Sequence, residues 1–275
     1  MSAVAISVPT VMRIAANVFK ESVRDKVLYA IVLFAVLIIA ASLLLGQLTA
    51  GQEVKIIKDL GLAAISLFGH FIAIFIGIGL VSKEVERRSI YALLAKPMSR
   101  AELVIGKFLG LLSTLSVNVV VMTIALIVVL GIYGATQPQE IRTTWEAPAV
   151  DPALGIAAFL ILVELAVVTA IALCFSTFTS PVLASAFSVG LVVAGHFSAD
   201  LKNFEQVVDS PAAAALAGGL YYVLPNLAPF DVKAQVVHAL PITPLYVALT
   251  TGYGVLYVGA LLTLAVLFFS RRDFK

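Results

Sequence analysis

Residues 82–110 read SKEVERRSIYALLAKPMSRAELVIGKFLG, and this charged stretch interrupts a chain that is otherwise mostly apolar. Of the 275 residues, 61% are hydrophobic and 12% are charged, whereas typical soluble domains have about a quarter of their residues charged. The mean hydropathy is +1.07. The composition predicts an all-α polytopic membrane protein, and it places the charged stretch in water between two spans.

Six apolar runs approach the length of about 20 residues that crosses a bilayer. The predicted spans are residues 27–48, 60–81, 108–132, 152–175, 181–198 and 245–270. The last three begin at prolines that follow Asp151, Ser180 and Thr243, residue types that cap helix starts. The pattern predicts one transmembrane domain over residues 1–275, with no cleaved leader and with both termini on one side of the membrane.

Residues 10–26 have the pattern of an amphipathic helix. Arg13 and Lys20 fall on the side of the helical wheel opposite Val11 and Val18. Such a helix lies flat in the membrane interface. The alternative is a solvated extension of the first span.

Lysine and arginine concentrate on one side of the predicted membrane. That side carries Arg13, Lys20, Arg24, Lys26, Lys83, Arg87, Arg88, Lys96, Arg100, Lys107, Arg271, Arg272 and Lys275. The other side carries Lys55, Lys58, Arg142, Lys202 and Lys233. Because the richer side is normally cytoplasmic, we expect cytoplasmic termini. We also expect the protein to be integral to the plasma membrane, of the prokaryotic cytoplasmic type.

The loops on the two sides differ in kind. The outer loop at 199–243 is long, and its apolar part at 212–224 is too short to span, which leaves a re-entrant or a surface helix. The cytosolic loop at 82–107 is predicted to contain a helix that ends at Pro97 and a second helix that starts with the capping box of Ser99 and Glu102. Because the second helix runs into the third span, this loop is stiff enough to pass force into the membrane. The alternative is a solvated loop whose charges serve topology alone.

The same loop resembles the ABC-2 type transporter permeases, particularly the group that includes copper-enzyme maturation permeases. The resemblance rests on residues 84–89 (EVERRS), 93–94 (LL), 96–100 (KPMSR) and 106–107 (GK), and it extends to the layout of the whole chain. It implies a cytosolic coupling helix between spans two and three that docks on a separate ABC ATPase subunit. The implied coupling interface is Glu84, Glu86, Arg87, Arg88, Leu93, Leu94, Pro97, Ser99 and Arg100.

The chain itself lacks the motifs of an energy-converting or hydrolytic enzyme. A phosphate-binding loop needs Gly-x-x-x-x-Gly-Lys-Ser/Thr, but Gly106 and Lys107 are followed by Phe108. No His-Glu-x-x-His or Gly-x-Ser-x-Gly motif is present in the sequence. We therefore expect a non-catalytic subunit without cofactor or metal residues of its own, with ATP and Mg²⁺ held by the partner. The net charge of +2 gives no reason to expect nucleic acid.

Glu164 is the one ionisable residue deep within a predicted span. A buried acid needs a partner or a cavity. Two roles for Glu164 therefore stay open. It could lie on the translocation path together with Asn118, or it could simply pack against Asn118 or Thr169. For His70 and His196, hydrogen bonds across the helix bundle are favoured over ligand binding.

The leading functional hypothesis is a permease that forms a homodimer or a heterodimer with a related permease, among membrane lipids, and exports a substrate when its ATPase partner hydrolyses ATP. One alternative is a mechanical or maturation factor that uses the ATPase to act on an outer protein without moving cargo. Another is an ion-coupled transporter that uses Glu164.

Overall fold

The computed structural model describes residues 7–48, 51–79, 99–198, 219 and 224–271. These residues form helices and no strand, which confirms the all-α prediction for this part of the chain. The helices are α1 (Val8–Val23), α2 (Lys26–Gln47), α3 (Glu53–Phe71), α4 (Arg100–Thr136), α5 (Gln139–Arg142), α6 (Ala153–Ser176), α7 (Pro181–His196), α8 (Lys233–Val237) and α9 (Pro244–Arg271). A π-helical turn, Ile72–Ile76, extends α3, and a 3-10 turn, Ala228–Phe230, precedes α8.

Within the described residues, five helices are long and apolar enough to cross a membrane, and they are Lys26–Gln47, Glu53–Gly79, Arg100–Thr136, Ala153–Ser176 and Pro244–Ser270. The predicted span at 181–198 forms α7, an apolar helix of 16 residues. At 1.5 Å per residue α7 is about 24 Å long, which is less than the roughly 30 Å of hydrocarbon in a bilayer. The described residues therefore show an integral membrane protein with five long helices, and the sixth span stays a prediction.

The proline-marked helix starts are nearly where the sequence predicts them. Helices α7 and α9 begin at Pro181 and Pro244, whereas α6 begins at Ala153, one residue later than predicted. The Ala153 amide donates to Asp151 Oδ1 over 2.8 Å, and the Tyr246 amide donates to Thr243 Oγ1 over 3.3 Å. Ser180 makes no such side-chain bond.

Glycines of α3 show how the central helices lie against each other. A methyl group on Gly61 would overlap Leu126, and one on Gly77 would contact Leu111, so α3 and α4 run antiparallel. Gly69 lies against Leu165 and Gly77 against Ala172, so α3 and α6 run parallel. Helix α6 is largely buried among α3, α4, α7 and α9 and forms the centre of the bundle.

Helix α1 is amphipathic as predicted, and its apolar side is covered by protein. Val11, Ala15 and Val18 are buried where α1 packs along α4. Two glycines of α4, Gly106 and Gly110, lie against α1 and permit this close approach. The packing on α4 accounts for the amphipathic pattern, and the placement of α1 in the membrane interface stays a prediction.

Candidate functional site

Only part of the predicted coupling interface lies within the described residues. Ser99 and Arg100 are described, as are the two predicted path residues, Asn118 and Glu164. The other predicted interface residues lie outside the described ranges, and they are Glu84, Glu86, Arg87, Arg88, Leu93, Leu94 and Pro97. The apolar segment at 212–224 also lies outside them, apart from Gly219 and Leu224.

Glu102 ties together the starts of α1 and α4. The Ser99 amide donates to Glu102 Oε2 over 2.7 Å and the Glu102 amide donates to Ser99 Oγ over 3.2 Å, which confirms the predicted capping box. The other carboxylate oxygen, Oε1, accepts a bond of 2.7 Å from the amide of Ser7, the residue before α1. Glu102 is 2% exposed. One buried carboxylate therefore satisfies free N–H groups at two helix starts.

Arg100 extends this junction to the last helix. Its Nη1 atom donates to the carbonyl oxygens of Phe269 and Ser270, over 2.5 and 2.9 Å. Its guanidinium also lies 5.7 Å from the centre of the Phe269 ring. A cation is favourable at a helix C-terminus, where carbonyl groups lack helical partners. We call Ser99, Arg100 and Glu102 the clamp, because together they fasten the starts of α1 and α4 to the end of α9.

A second polar group lies inside the bundle. The Glu164 carboxylate, on α6, has its Oε1 atom 3.2 Å from His70 Nε2 on α3 and 3.0 Å from His196 Nε2 at the end of α7. The Glu164 side chain is 2% exposed, against 13% for His70 and 31% for His196. We call these three residues the His–Glu–His cluster.

The two imidazole rings are held in one orientation by the backbone. His70 Nδ1 lies 2.7 Å from the carbonyl oxygen of Ser66, and His196 Nδ1 lies 3.0 Å from that of Val192. A carbonyl oxygen can only accept, so each Nδ1 carries a proton and donates it. Each Nε2 atom consequently faces the Glu164 carboxylate, and the ring centres are 5.8 Å apart.

The partners that the sequence analysis offered for Glu164 bind elsewhere. Asn118 Nδ2 donates to the carbonyl oxygen of Thr114 over 2.8 Å, and the Thr169 hydroxyl donates to that of Leu165 over 2.7 Å. The structure instead brings Glu164 to His70 and His196, on two other helices. The available signal was that ionisable groups within membrane helices usually pair with one another.

The cluster borders two cavities. An apolar cavity of about 600 Å³ is lined by His70 and His196 together with side chains such as Phe71 and Val193. A second, more polar cavity of about 820 Å³ is lined by His196, Asp231 and His238, among others. His196 lines both cavities, so the cluster borders each of them through this residue. The π-helical turn that follows His70 is of a kind that often marks functional sites.

An exposed ion pair lies at the far end of α3 from the π-helical turn. Lys55 Nζ lies 2.7 Å from Glu146 Oε1. The hydrogen bond and the positive charge of Lys55 lower the pKa of the Glu146 carboxyl. This contact joins α3 to the loop that precedes α6.

Comparison with known families gives one result that covers nearly the whole chain. A family model described as "ABC-2 family transporter protein" matches residues 12–274. No curated protein sequence matches the chain.

Proposed function

Because the chain belongs to the ABC-2 family of transporter proteins, we propose that it is the permease that an ABC ATPase subunit drives to export a substrate. Family membership makes the chain the membrane subunit of a transporter and implies the ATPase partnership. The docking of that ATPase on residues 84–100, the export direction and the dimer, with a second copy or a related permease, are our proposals.

The clamp is the observation that carries the coupling proposal. Ser99 and Arg100 are the last residues of the proposed docking segment. Glu102 accepts from the amide that precedes α1, and Arg100 donates to a carbonyl oxygen of α9. A displacement of that segment would therefore reach three helices through short hydrogen bonds. Charge-assisted bonds of this kind are stronger than neutral ones, so the junction moves as one unit.

The distribution of lysine and arginine supports the proposed outward direction of transport. The clamp lies at the end of the chain's helices where lysine and arginine concentrate, which we take as cytoplasmic. The polar cavity lined by Asp231 and His238 would then open toward the outer side. ATP-driven closure would pull on the clamp from inside and open the path outward.

Charge reversal tests the docking proposal. We expect Arg87→Glu, and more strongly the double change with Arg88→Glu, to release the ATPase from the detergent-solubilised complex while the permease still inserts. Arg142→Glu is the matched control, because Arg142 is exposed and lies on the predicted opposite side. Retention of the ATPase by the double variant, with normal ATP turnover, would show that docking occurs elsewhere.

Reconstituted vesicles test the transport proposal. With the ATPase on the outside of inside-out vesicles, ATP should drive a solute into the lumen. ATP turnover that moves no solute but changes an outer protein would favour the mechanical alternative. Solute movement that needs Glu164 and no ATPase would favour the ion-coupled alternative.

A further inference from the structure

We propose that the His–Glu–His cluster binds one divalent transition-metal ion, of the type of Zn²⁺, inside the helix bundle. His70, Glu164 and His196 each offer one ligand atom, and these atoms lie within 4.8 Å of one another. Two imidazole nitrogens and a carboxylate are a ligand set that zinc uses in proteins. Metal binding at this site would depend on this geometry and would not require the ATPase partner.

The backbone contacts of the two histidines are those of metal ligands. A histidine that binds a metal usually donates its other ring N–H to a carbonyl or carboxylate oxygen, which fixes the tautomer and the ring plane. Both rings do so here, through Ser66 and Val192. Each Nε2 atom therefore presents its lone pair toward Glu164 when the ring is neutral.

The spacing of the ligand atoms also suits an ion. Ligands about 2.0–2.1 Å from a tetrahedral zinc ion lie roughly 3.3 Å from one another. The two Nε2 to Oε1 distances are 3.2 and 3.0 Å. All three ligand atoms lie within 4.8 Å of one another, so closing the gap between the two Nε2 atoms needs a displacement of at most about 1.5 Å.

The three facing atoms of the cluster do not satisfy one another while both rings are neutral. His70 Nε2 and Glu164 Oε1 are buried, and within the described residues neither atom completes a hydrogen bond of good geometry. With both rings neutral, two nitrogen lone pairs face a carboxylate that has only lone pairs. A proton on each Nε2 would let both rings donate to the carboxylate, and a divalent ion bound by all three atoms would relieve the same contacts.

The chemistry of the ligands and the cavities narrows the kind of ion. Imidazole favours zinc and its neighbours, while Mg²⁺ and Ca²⁺ prefer oxygen ligands alone. Three protein ligands leave a fourth position open, beside an apolar cavity that both histidines line. The polar cavity, which includes Asp59, Asp231 and His238, provides an access route that reaches His196.

Metal titration of the full-length protein in detergent tests the site. We expect the wild type to bind one Zn²⁺ per chain, and Co²⁺ used as a probe to give the intense visible absorption of a tetrahedral site. We expect Zn²⁺ binding to weaken by more than about 100-fold in each of three variants, His70→Gln, His196→Gln and Glu164→Gln. A loss of about 100-fold is the most that removal of a residue supporting a metal ligand usually causes, so a larger loss indicates a ligand. His238→Gln, a change of the same type at an exposed histidine of the polar cavity, should leave the affinity unchanged.

A ligand exchange separates metal binding from a folding role. The His70→Cys variant should still bind Co²⁺ and should show the additional charge-transfer absorption of a thiolate ligand. If residue 70 has only a structural role, the variant should show no such absorption. The proposal is overturned if the folded wild type retains no Zn²⁺ after exchange into metal-free buffer. Equal binding by the wild type and the His70→Gln, His196→Gln double variant would overturn it as well.

Discussion

The clamp and the His–Glu–His cluster both place charged groups among apolar helices, but their partners differ. Glu102 and Arg100 bind backbone atoms that helix ends leave free. Glu164 Oε1 faces two side chains in the interior of the bundle, and within the described residues this atom completes no hydrogen bond of good geometry. Charges bound to helix ends fasten helices together, whereas the Glu164 carboxylate between two imidazole rings is the site that we propose for a metal ion.

This difference suggests separate tasks for the two regions. The clamp joins the ends of α1, α4 and α9, so it suits the transmission of force from an ATPase. The cluster joins the middle of α6 to α3 and α7 beside two cavities, so it suits an ion. Variants that disturb one region and leave the other intact will show whether the tasks are separate.

The largest effect is expected where α1 lies against α4 next to the clamp. A methyl group at Gly110 would lie 2.6 Å from the Ala15 carbonyl oxygen and 2.7 Å from Val18 Cβ. These atoms belong to the backbone or lie next to it and cannot rotate away, so Gly110→Ala should push α1 off α4. We expect a loss of about 2 kcal/mol in the free energy of unfolding, as for other overpacked sites.

Denaturant titration in detergent micelles measures this loss. Gly131→Ala is the matched control on α4, because a methyl group there meets no atom within 4 Å. It should raise the stability by up to about 1 kcal/mol, the helix-propensity difference between the two residues. Equal changes for the two variants would mean that α1 does not depend on this close approach.

A smaller effect is expected beside the cluster. A methyl group at Gly69 would lie 2.5 Å from Leu165 Cδ1, the tip of a side chain that can rotate in part. Gly69→Ala should therefore cost only about 1 kcal/mol, but it should move α3 away from α6 next to Glu164. We expect Zn²⁺ affinity to fall by about tenfold, as when a supporting residue is lost.

Gly77→Ala is the control on the same helix. Its added methyl group would lie 3.7 Å from Leu111 Cδ1, an ordinary contact. Zn²⁺ titration should give the wild-type affinity for this variant. If Gly69→Ala also keeps the wild-type affinity, the cluster does not depend on the spacing of α3 and α6.

The smallest effect is expected at the exposed pair of Lys55 and Glu146. Because the pKa of Glu146 is lower in the folded than in the unfolded protein, its contribution is present at neutral pH and is lost as the pH falls through the folded-state value. Glu146→Gln should lower the melting temperature slightly at neutral pH, since exposed pairs stabilise little. The melting curves of variant and wild type should converge in acid.

Glu140→Gln serves as the comparison for this pair. Glu140 is exposed and forms no ion pair within the described residues. Its substitution should leave the pH dependence of the melting temperature unchanged. A difference between Glu146→Gln and wild type that persists undiminished into acid would argue against the ion pair as its cause.

The features that the sequence predicted correctly depend on neighbours along the chain. The capping box of Ser99 and Glu102 joins residues three positions apart, and the apolar side of α1 repeats with the helical period. The proline-marked starts of α7 and α9 are local in the same way. Interactions of this kind are encoded in a short window, so one sequence suffices to find them.

What the sequence by itself determined, then, is a helical membrane protein with a charged, box-capped junction, because burial in lipid demands long apolar helices and free helix ends demand caps. Tertiary structure alone decided which polar groups meet. Glu102 reaches Ser7, and Glu164 reaches His70 and His196, only because α1, α3, α6 and α7 pack at particular angles and depths. Such packing depends on side-chain shape at glycine contacts far apart in the chain, and no periodic pattern records it.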